Sequence, residues 1–358
     1  MSKRVKPAIP FARRMPVLAV ARERAKNLLR ELMTLQLVDE TLKITKRGRE
    51  ILIPVVAVPP IPLARHGARW ETGEPLPSRS RARNPRDRLD ERLRAAGIPI
   101  EIAPRRWKRL GDVVIFRILP EAQVHARAMA EIYGSVLGAR TVVQDVSGIH
   151  GPLRLPDFEV LWGDGTETVH LEGGVRYALD VALVMLSPGN IEERVGITNR
   201  VRPGAVVADL FAGIGYFTLP LAMRSRPEIV YACELNPISF QYLVRNIRLN
   251  RATNVVPLLG DCRDVMPRGV ADWVIMGHFD AREYLDVAFA ALRTKGTIVY
   301  HELCPKEQFP DALTGRLAAA TRATWRNVTQ MRTRVVKSYA PGIVHAVAEF
   351  EVSSPHRM

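Results

Sequence analysis

From residue 203 onward, short apolar runs alternate with amphipathic stretches, which predicts the strands and helices of a doubly wound parallel sheet. VVADL (Val206 to Leu210), IVYACEL (Ile229 to Leu235), Val255 to Leu259, WVIMG (Trp273 to Gly277) and GTIVYHEL (Gly296 to Leu303) read as five successive strands. Arg282 to Arg293 and Lys306 to Arg322 read as helices. Two longer strands, Trp325 to Tyr339 and Val344 to Val352, flank Pro341 and Gly342, so the sheet is expected to end in an antiparallel pair. Toward the amino terminus, Val17 to Leu35 carries apolar residues at helical spacing. Leu37 to Val55 reads as a strand, a basic turn at Lys46 to Gly48 and a second strand. Between Ile100 and Asp180 the pattern is mixed, with strands expected at Val113 to Ile118, Thr141 to Asp145 and Val169 to Leu171 and a helix around Gln123 to Gly134.

This patterning divides the chain into a small basic α/β domain (1–64), an Arg/Pro-rich linker (65–95), a middle α/β domain (96–190) and a larger α/β domain (191–358). Composition adds a direction. The net charge is +15 over 358 residues, and residues 1–110 hold 26 basic and 11 acidic side chains, so the entire excess lies at the front. A basic front on a neutral body suits a polyanion, with nucleic acid first among candidates. The densest stretch, RSRARNPRDR (Arg79 to Arg88), is read as part of the linker. Cys233, Cys262 and Cys304 form no paired motif, and the eight histidines show no ligand spacing, so no metal is expected. Prolines interrupt the most apolar early run, Ile51 to Ala64, which argues against a membrane span. With no apolar core after the basic start to make a signal peptide, a cytoplasmic protein is expected.

The chemistry concentrates in DLFAGIGYF, Asp209 to Phe217. Gly213 and Gly215 allow a sharp turn and a close backbone approach to a ligand. Thr218 stands where the dinucleotide fingerprint has a third small residue, which favours a cofactor without phosphates. Glu234 ends the second strand where an acid accepts the ribose hydroxyls, and Asp261 follows the third strand, where a carboxylate accepts from an exocyclic amine. An amine anchor at Asp209, a ribose anchor at Glu234 and an adenine anchor at Asp261 together describe S-adenosylmethionine; Phe211 and Met276 are counted with them as cofactor-lining residues. His278 and His301 lie after consecutive parallel strands, where the sheet's carboxyl edge opens on a ligand; they are candidates for contacting a base or accepting its proton.

With these features in place, the chain resembles class I S-adenosylmethionine-dependent enzymes with a Rossmann-like sheet. LLRELMTLQLVDETLKI, ILIPV, RLGDVVIF, LDVALVMLSPGNIEER and VVKSYAPGIVHAVAEFEV narrow the resemblance. They are similar to the family of the archaeal and eukaryotic tRNA guanosine N1-methyltransferases and the wybutosine-pathway tRNA aminocarboxypropyltransferase. Met276-Gly277-His278 stands where the methyltransferases carry Asn-Leu-Pro, and Ser187-Pro188-Gly189, followed by Asn190, where they carry Asn-Pro-Arg. Both departures resemble the aminocarboxypropyltransferase branch. That resemblance implies transfer of the 3-amino-3-carboxypropyl group to 4-demethylwyosine beside the anticodon of tRNA(Phe), with Ser187 and Arg194 receiving the methionine carboxylate. Glu172 and Tyr177 are placed in the same cleft. The alternatives are N1-methylation of guanosine 37 and a tRNA-binding protein that retains the fold without activity.

Overall fold

The computed structural model describes residues 16–39, 41–72, 84–151, 155–185, 191–324 and 326–353, and the chain forms two compact units, residues 1–88 and 89–358. The first unit is a four-stranded antiparallel sheet, ordered β2-β3-β1-β4, with one long helix. Strand β1 (Pro16–Ala21) leads into helix α1 (Arg22–Thr34), followed by β2 (Thr45–Arg47), β3 (Glu50–Pro54) and β4 (Arg69–Thr72). The helix expected from Val17 therefore begins at Arg22. Val17 to Val20 are buried on both faces of a central strand, a role that suits β-branched and small apolar residues. Ala25, Leu28 and Leu32 recur on one face of α1 and pack against Leu18, Val20, Ile53 and Val55.

The stretch expected to be a linker is also partly structured. Residues 69–72 pair with β1, and Pro85–Ala95 form helix α2, with Pro85 at its first position and Leu89 and Leu93 buried. Its basic residues had masked a helical pair of leucines. Arg79, Arg81 and Arg83 lie outside the described residues.

The second unit opens with a four-stranded sheet, β5-β6-β7-β8, built from β5 (Trp107–Leu110), β6 (Val113–Phe116), β7 (Thr141–His150) and β8 (Leu155–Trp162). Helix α3 (Ala126–Leu137) joins β6 to its parallel neighbour β7. Leu89, Leu93, Val114, Phe116, Met129 and Tyr133 fill the core between. A hairpin of β9 (Glu167–Glu172) and β10 (Val175–Asp180) follows, then the short helix α4 (Ile191–Thr198).

The remaining strands build a seven-stranded sheet in the order β13-β12-β11-β14-β15-β17-β16. They are β11 (Val206–Asp209), β12 (Ile229–Glu234), β13 (Val255–Leu259), β14 (Ala271–Met276), β15 (Leu292–Pro305), β16 (Asn327–Ala340) and β17 (Ile343–Ser353). Strands β11 to β15 are parallel, and β17 runs antiparallel between β15 and β16, as expected of the terminal pair. Helices α5 (Thr218–Arg224) and α6 (Pro237–Asn250) join the first strands of the sheet, and α7 (Cys262–Val265), α8 (Leu285–Ala291) and α9 (Asp311–Ala323) come between the later ones. Val207, Val230, Leu219, Leu243 and Val299 form one core, while Ala208, Val274, Ile298, Phe289 and Leu317 form another. The strand order reverses at β11, so a crevice opens at the carboxyl ends of β11 and its neighbours, where such sheets bind ligands.

Candidate functional site

Strand β11 delivers Asp209 into the interior. The side chain is 0% exposed, its Oδ2 accepts the Thr218 hydroxyl at 2.7 Å and its Oδ1 accepts the Phe211 N–H at 3.4 Å. Burial pushes its carboxyl up to about 6. The amine anchor expected of Asp209 is thus replaced by an internal role, in which the carboxylate ties the start of the loop to the first residue of α5. The glycines do what the sequence required of them. Gly213 and Gly215 have φ of +57° and +105°, and a Cβ on Gly215 would lie 2.7 Å from Leu219.

Glu234, at the end of β12, closes the loop from the other side. Its Oε2 accepts the Gly213 N–H at 2.7 Å and its Oε1 accepts the Asn236 N–H at 2.8 Å, and burial raises its carboxyl above the usual range. The side chain is still half-buried, and each oxygen keeps a lone pair for a further donor. Asp261 caps α7, accepting the Arg263 N–H at 2.9 Å, and the Arg263 guanidinium beside it holds its carboxyl below the usual range. Arg263 lies 4.9 Å over the Tyr284 ring, Tyr284 meets Phe211 edge-on at 5.2 Å, and Phe211 meets His278 at 5.5 Å. An aromatic wall with Phe211 at its middle therefore runs from the candidate adenine anchor to the end of β14.

Met276 is fully buried and does not line the crevice. Its neighbour explains the local sequence. A Cβ on Gly277 would lie 2.6 Å from the Phe217 ring, so this strand end accepts no side chain. His278 is the outward-facing member of the trio, with Nδ1 accepting the Asp280 N–H at 3.2 Å. His301 is placed otherwise than expected. Pairing with β17 extends β15 to Pro305, which leaves His301 mid-strand and 1% exposed, its Nδ1 sharing a hydrogen bond with His345 Nε2 at 2.9 Å. Burial and the neighbouring His345 hold it well below the ordinary imidazole range. A neutral, enclosed imidazole packed on Phe217 at 5.3 Å is a support for the strand edge, not a contact for a substrate base.

The second cluster joins α4 to the β9–β10 hairpin. Arg194 is 3% exposed and donates from Nε to Glu172 Oε1 at 2.9 Å and from Nη2 to Glu172 Oε2 at 2.8 Å. In this two-pronged buried pair the guanidinium faces Glu172, where the resemblance implied an open receiver for the methionine carboxylate. Tyr177 is buried beside it, with a hydroxyl that has no hydrogen-bond partner among the described residues. Ser187 lies outside the described residues.

Several organising residues escaped the sequence reading. Asn246 donates to the carbonyls of Ala178 and Ile214, each at 3.1 Å, and accepts the Ala178 N–H at 2.7 Å. Asn250, one turn later, exchanges hydrogen bonds with the Arg176 backbone at 2.9 and 2.6 Å. The two amides act as a partner strand for β10 and fasten the hairpin to the glycine loop. Their spacing of four on α6 was the available signal. Glu193 is likewise buried and paired with Arg334, with Oε2 at 3.2 Å from Nε. A cavity of about 660 Å³ lies at the opposite end of the sheet, lined by Arg202, Ala205, Asp272 and Lys295 before and at the starts of the strands. It is remote from the loop. No described helix is long and apolar enough to cross a membrane.

Residues 168–328 match the TRM5/TYW2 methyltransferase domain, and residues 89–166 match the TYW2 N-terminal domain. A tRNA(Phe) (4-demethylwyosine(37)-C(7)) aminocarboxypropyltransferase of Pyrococcus horikoshii is 35% identical over 71% of this chain and 91% of its own length. The enzyme of the same name from Methanocaldococcus jannaschii is 39% identical over 69% of this chain and 98% of its own. The crystal structure of P. horikoshii TYW2 in complex with MeSAdo superposes with a TM-score of 0.68 at 32% identity, covering 75% of this chain and 99% of that one.

Proposed function

The chain belongs to the TRM5/TYW2 methyltransferase family, and from that premise we propose that it transfers the 3-amino-3-carboxypropyl group of S-adenosylmethionine to 4-demethylwyosine beside the anticodon of tRNA(Phe), releasing methylthioadenosine. The observation that carries the reading is the end of β14. There a buried Met276, a Gly277 closed off by the Phe217 ring and His278 stand where the N1-methyltransferase pattern has a carboxamide, a leucine and a proline-fixed turn. A crevice built this way lacks the groups that would aim a methyl at a ring nitrogen.

The residues present fit the co-substrate. In this reading Glu234 takes the ribose hydroxyls on its free lone pairs, Asp261 takes the adenine amine, and Phe211 with Tyr284 offers a flat apolar surface to the nucleoside. The sulfonium supplies an electrophilic γ-carbon and leaves as a thioether with the bonding pair, while the acceptor carbon of the base gives up a proton. Which carbon on sulfur reacts is decided by alignment with the nucleophile. His278, half-buried just past the end of β14, is the histidine that faces the base. The basic residues of the amino-terminal region hold tRNA phosphates, and the reaction belongs to the cytoplasm.

The by-product tests the proposal. Incubation with S-adenosylmethionine and precursor tRNA should yield methylthioadenosine in step with a base heavier by the aminocarboxypropyl group, read by chromatography and nucleoside mass spectrometry. S-adenosylhomocysteine as the main by-product would assign methyl transfer instead.

A further inference from the structure

Resting on the reading of the site just given, we propose that Lys337 receives the carboxylate of the transferred aminocarboxypropyl chain. The resemblance had pointed to Arg194, but that guanidinium is spent. Its fork is filled by Glu172 in an enclosed pair, so the two side chains together present no net charge to a ligand. The neighbouring cation is in the opposite condition.

Lys337 lies on β16 opposite His345, which in turn pairs with Leu303 near the carboxyl end of β15. This is the end of the sheet that carries the glycine loop. Irregularities in pairing at Val335/Lys337 and at Ser338/Ala340 bracket the residue. Bulges of this kind re-aim a side chain and are frequent beside functional sites. The side chain is half-buried and has neither a carboxylate nor a hydrogen-bond partner among the described residues. Its charged neighbours are Arg194 and Lys108, and burial together with these cations lowers its pKa. Across the strand, His345 is held neutral, to about 4, by burial and by Lys337 and Arg334, and Arg334 is itself committed to Glu193.

An ammonium drawn into a protein without an anion is unfavourable, and here the surrounding groups make it more so. A second polar group around Arg194, the buried hydroxyl of Tyr177, also lacks a partner among the described residues. An arriving anion with two acceptor oxygens resolves the Lys337 deficit. The proposed co-substrate carries one carboxylate, on the group that this branch must hold in a pose different from that of a methyl donor.

Calorimetry with S-adenosylmethionine and with its decarboxylated form, which keeps the sulfonium and amine, isolates the carboxylate. The parent protein should prefer the carboxylated compound by roughly tenfold to a hundredfold, the range of a charge-assisted hydrogen bond. Lys337→Gln should abolish that preference and leave affinity for the decarboxylated compound unchanged, while Lys337→Arg should keep part of it. Should the Gln variant not fold, Lys337→Met retains the packed stem and serves in its place. Unchanged affinity for S-adenosylmethionine, or equal weakening of both compounds, overturns the assignment. Weaker tRNA binding with the preference intact would give Lys337 to an RNA phosphate, which also overturns it. A parent protein that binds neither compound would instead remove the reading of the site itself.

Discussion

Replacing Glu172 with Gln removes the charge that balances Arg194 while keeping the size of the side chain. In the parent, two parallel hydrogen bonds of 2.9 and 2.8 Å join a guanidinium that is 3% exposed to a carboxylate that is also enclosed. The variant amide offers one acceptor and turns an N–H donor toward a donor. Arg194 is then buried beside the cationic Lys337 and has lost the charge of the carboxylate that faced it. Breaking a buried pair from one side costs about 3–5 kcal/mol, and the remaining acceptor places this case near the lower figure. At about 2–4 °C per kcal/mol for a unit of this size, the melting temperature should fall by roughly 6–12 °C. Circular dichroism melts and urea midpoints of the parent, Glu172→Gln, Arg194→Met and the combined Glu172→Met/Arg194→Met variant measure the effect. The combined variant should recover most of the loss, because no charge is left uncompensated. A loss below about 1 kcal/mol for Glu172→Gln, as expected of an exposed pair, would refute the reasoning. So would a combined variant no more stable than the single ones.

Two further outcomes follow from the loop. Burial raises the Asp209 carboxyl to about 6, above its unfolded value, so the folded state binds the proton more tightly. The resulting stabilisation is complete below a pH of about 4 and is lost as pH rises through about 6. Relative to Asp209→Asn, the parent should therefore lose about 2 kcal/mol between pH 4 and 7 in denaturant titrations; a difference that does not vary with pH contradicts the buried placement. Glu234→Ala should weaken S-adenosylmethionine binding by roughly 1–3 kcal/mol through lost charge-assisted bonds. Calorimetry on a folded variant showing unchanged affinity would exclude Glu234 as the ribose anchor.

The parallel sheet was legible along the chain because buried strands leave near-continuous apolar runs, and Val255–Leu259 came out with the expected bounds. The glycine loop was legible for a similar reason. Positive φ at Gly213 and Gly215 and the close approach of Leu219 leave little choice of residue, so the conformation is written in the composition. The helix at Pro85–Ala95 was hidden by its arginines, and the strand at Pro16–Ala21 merged with the helix that follows it, since both are apolar at compatible spacings.

What the sequence by itself determined is thus the order of elements, the family and the acids at the strand ends, all properties of residues near one another in the chain. Only the tertiary structure decided which polar groups are satisfied. Arg194 meets Glu172 from 22 positions away, His301 meets His345 from 44, and Asn246 meets Ala178 from 68. Through these pairings an expected ligand anchor becomes an internal brace, while Lys337 is left without a counter-ion among the described residues. The availability of a charge depends on burial and on partners brought together by chain crossings, and neither has a local pattern in the sequence.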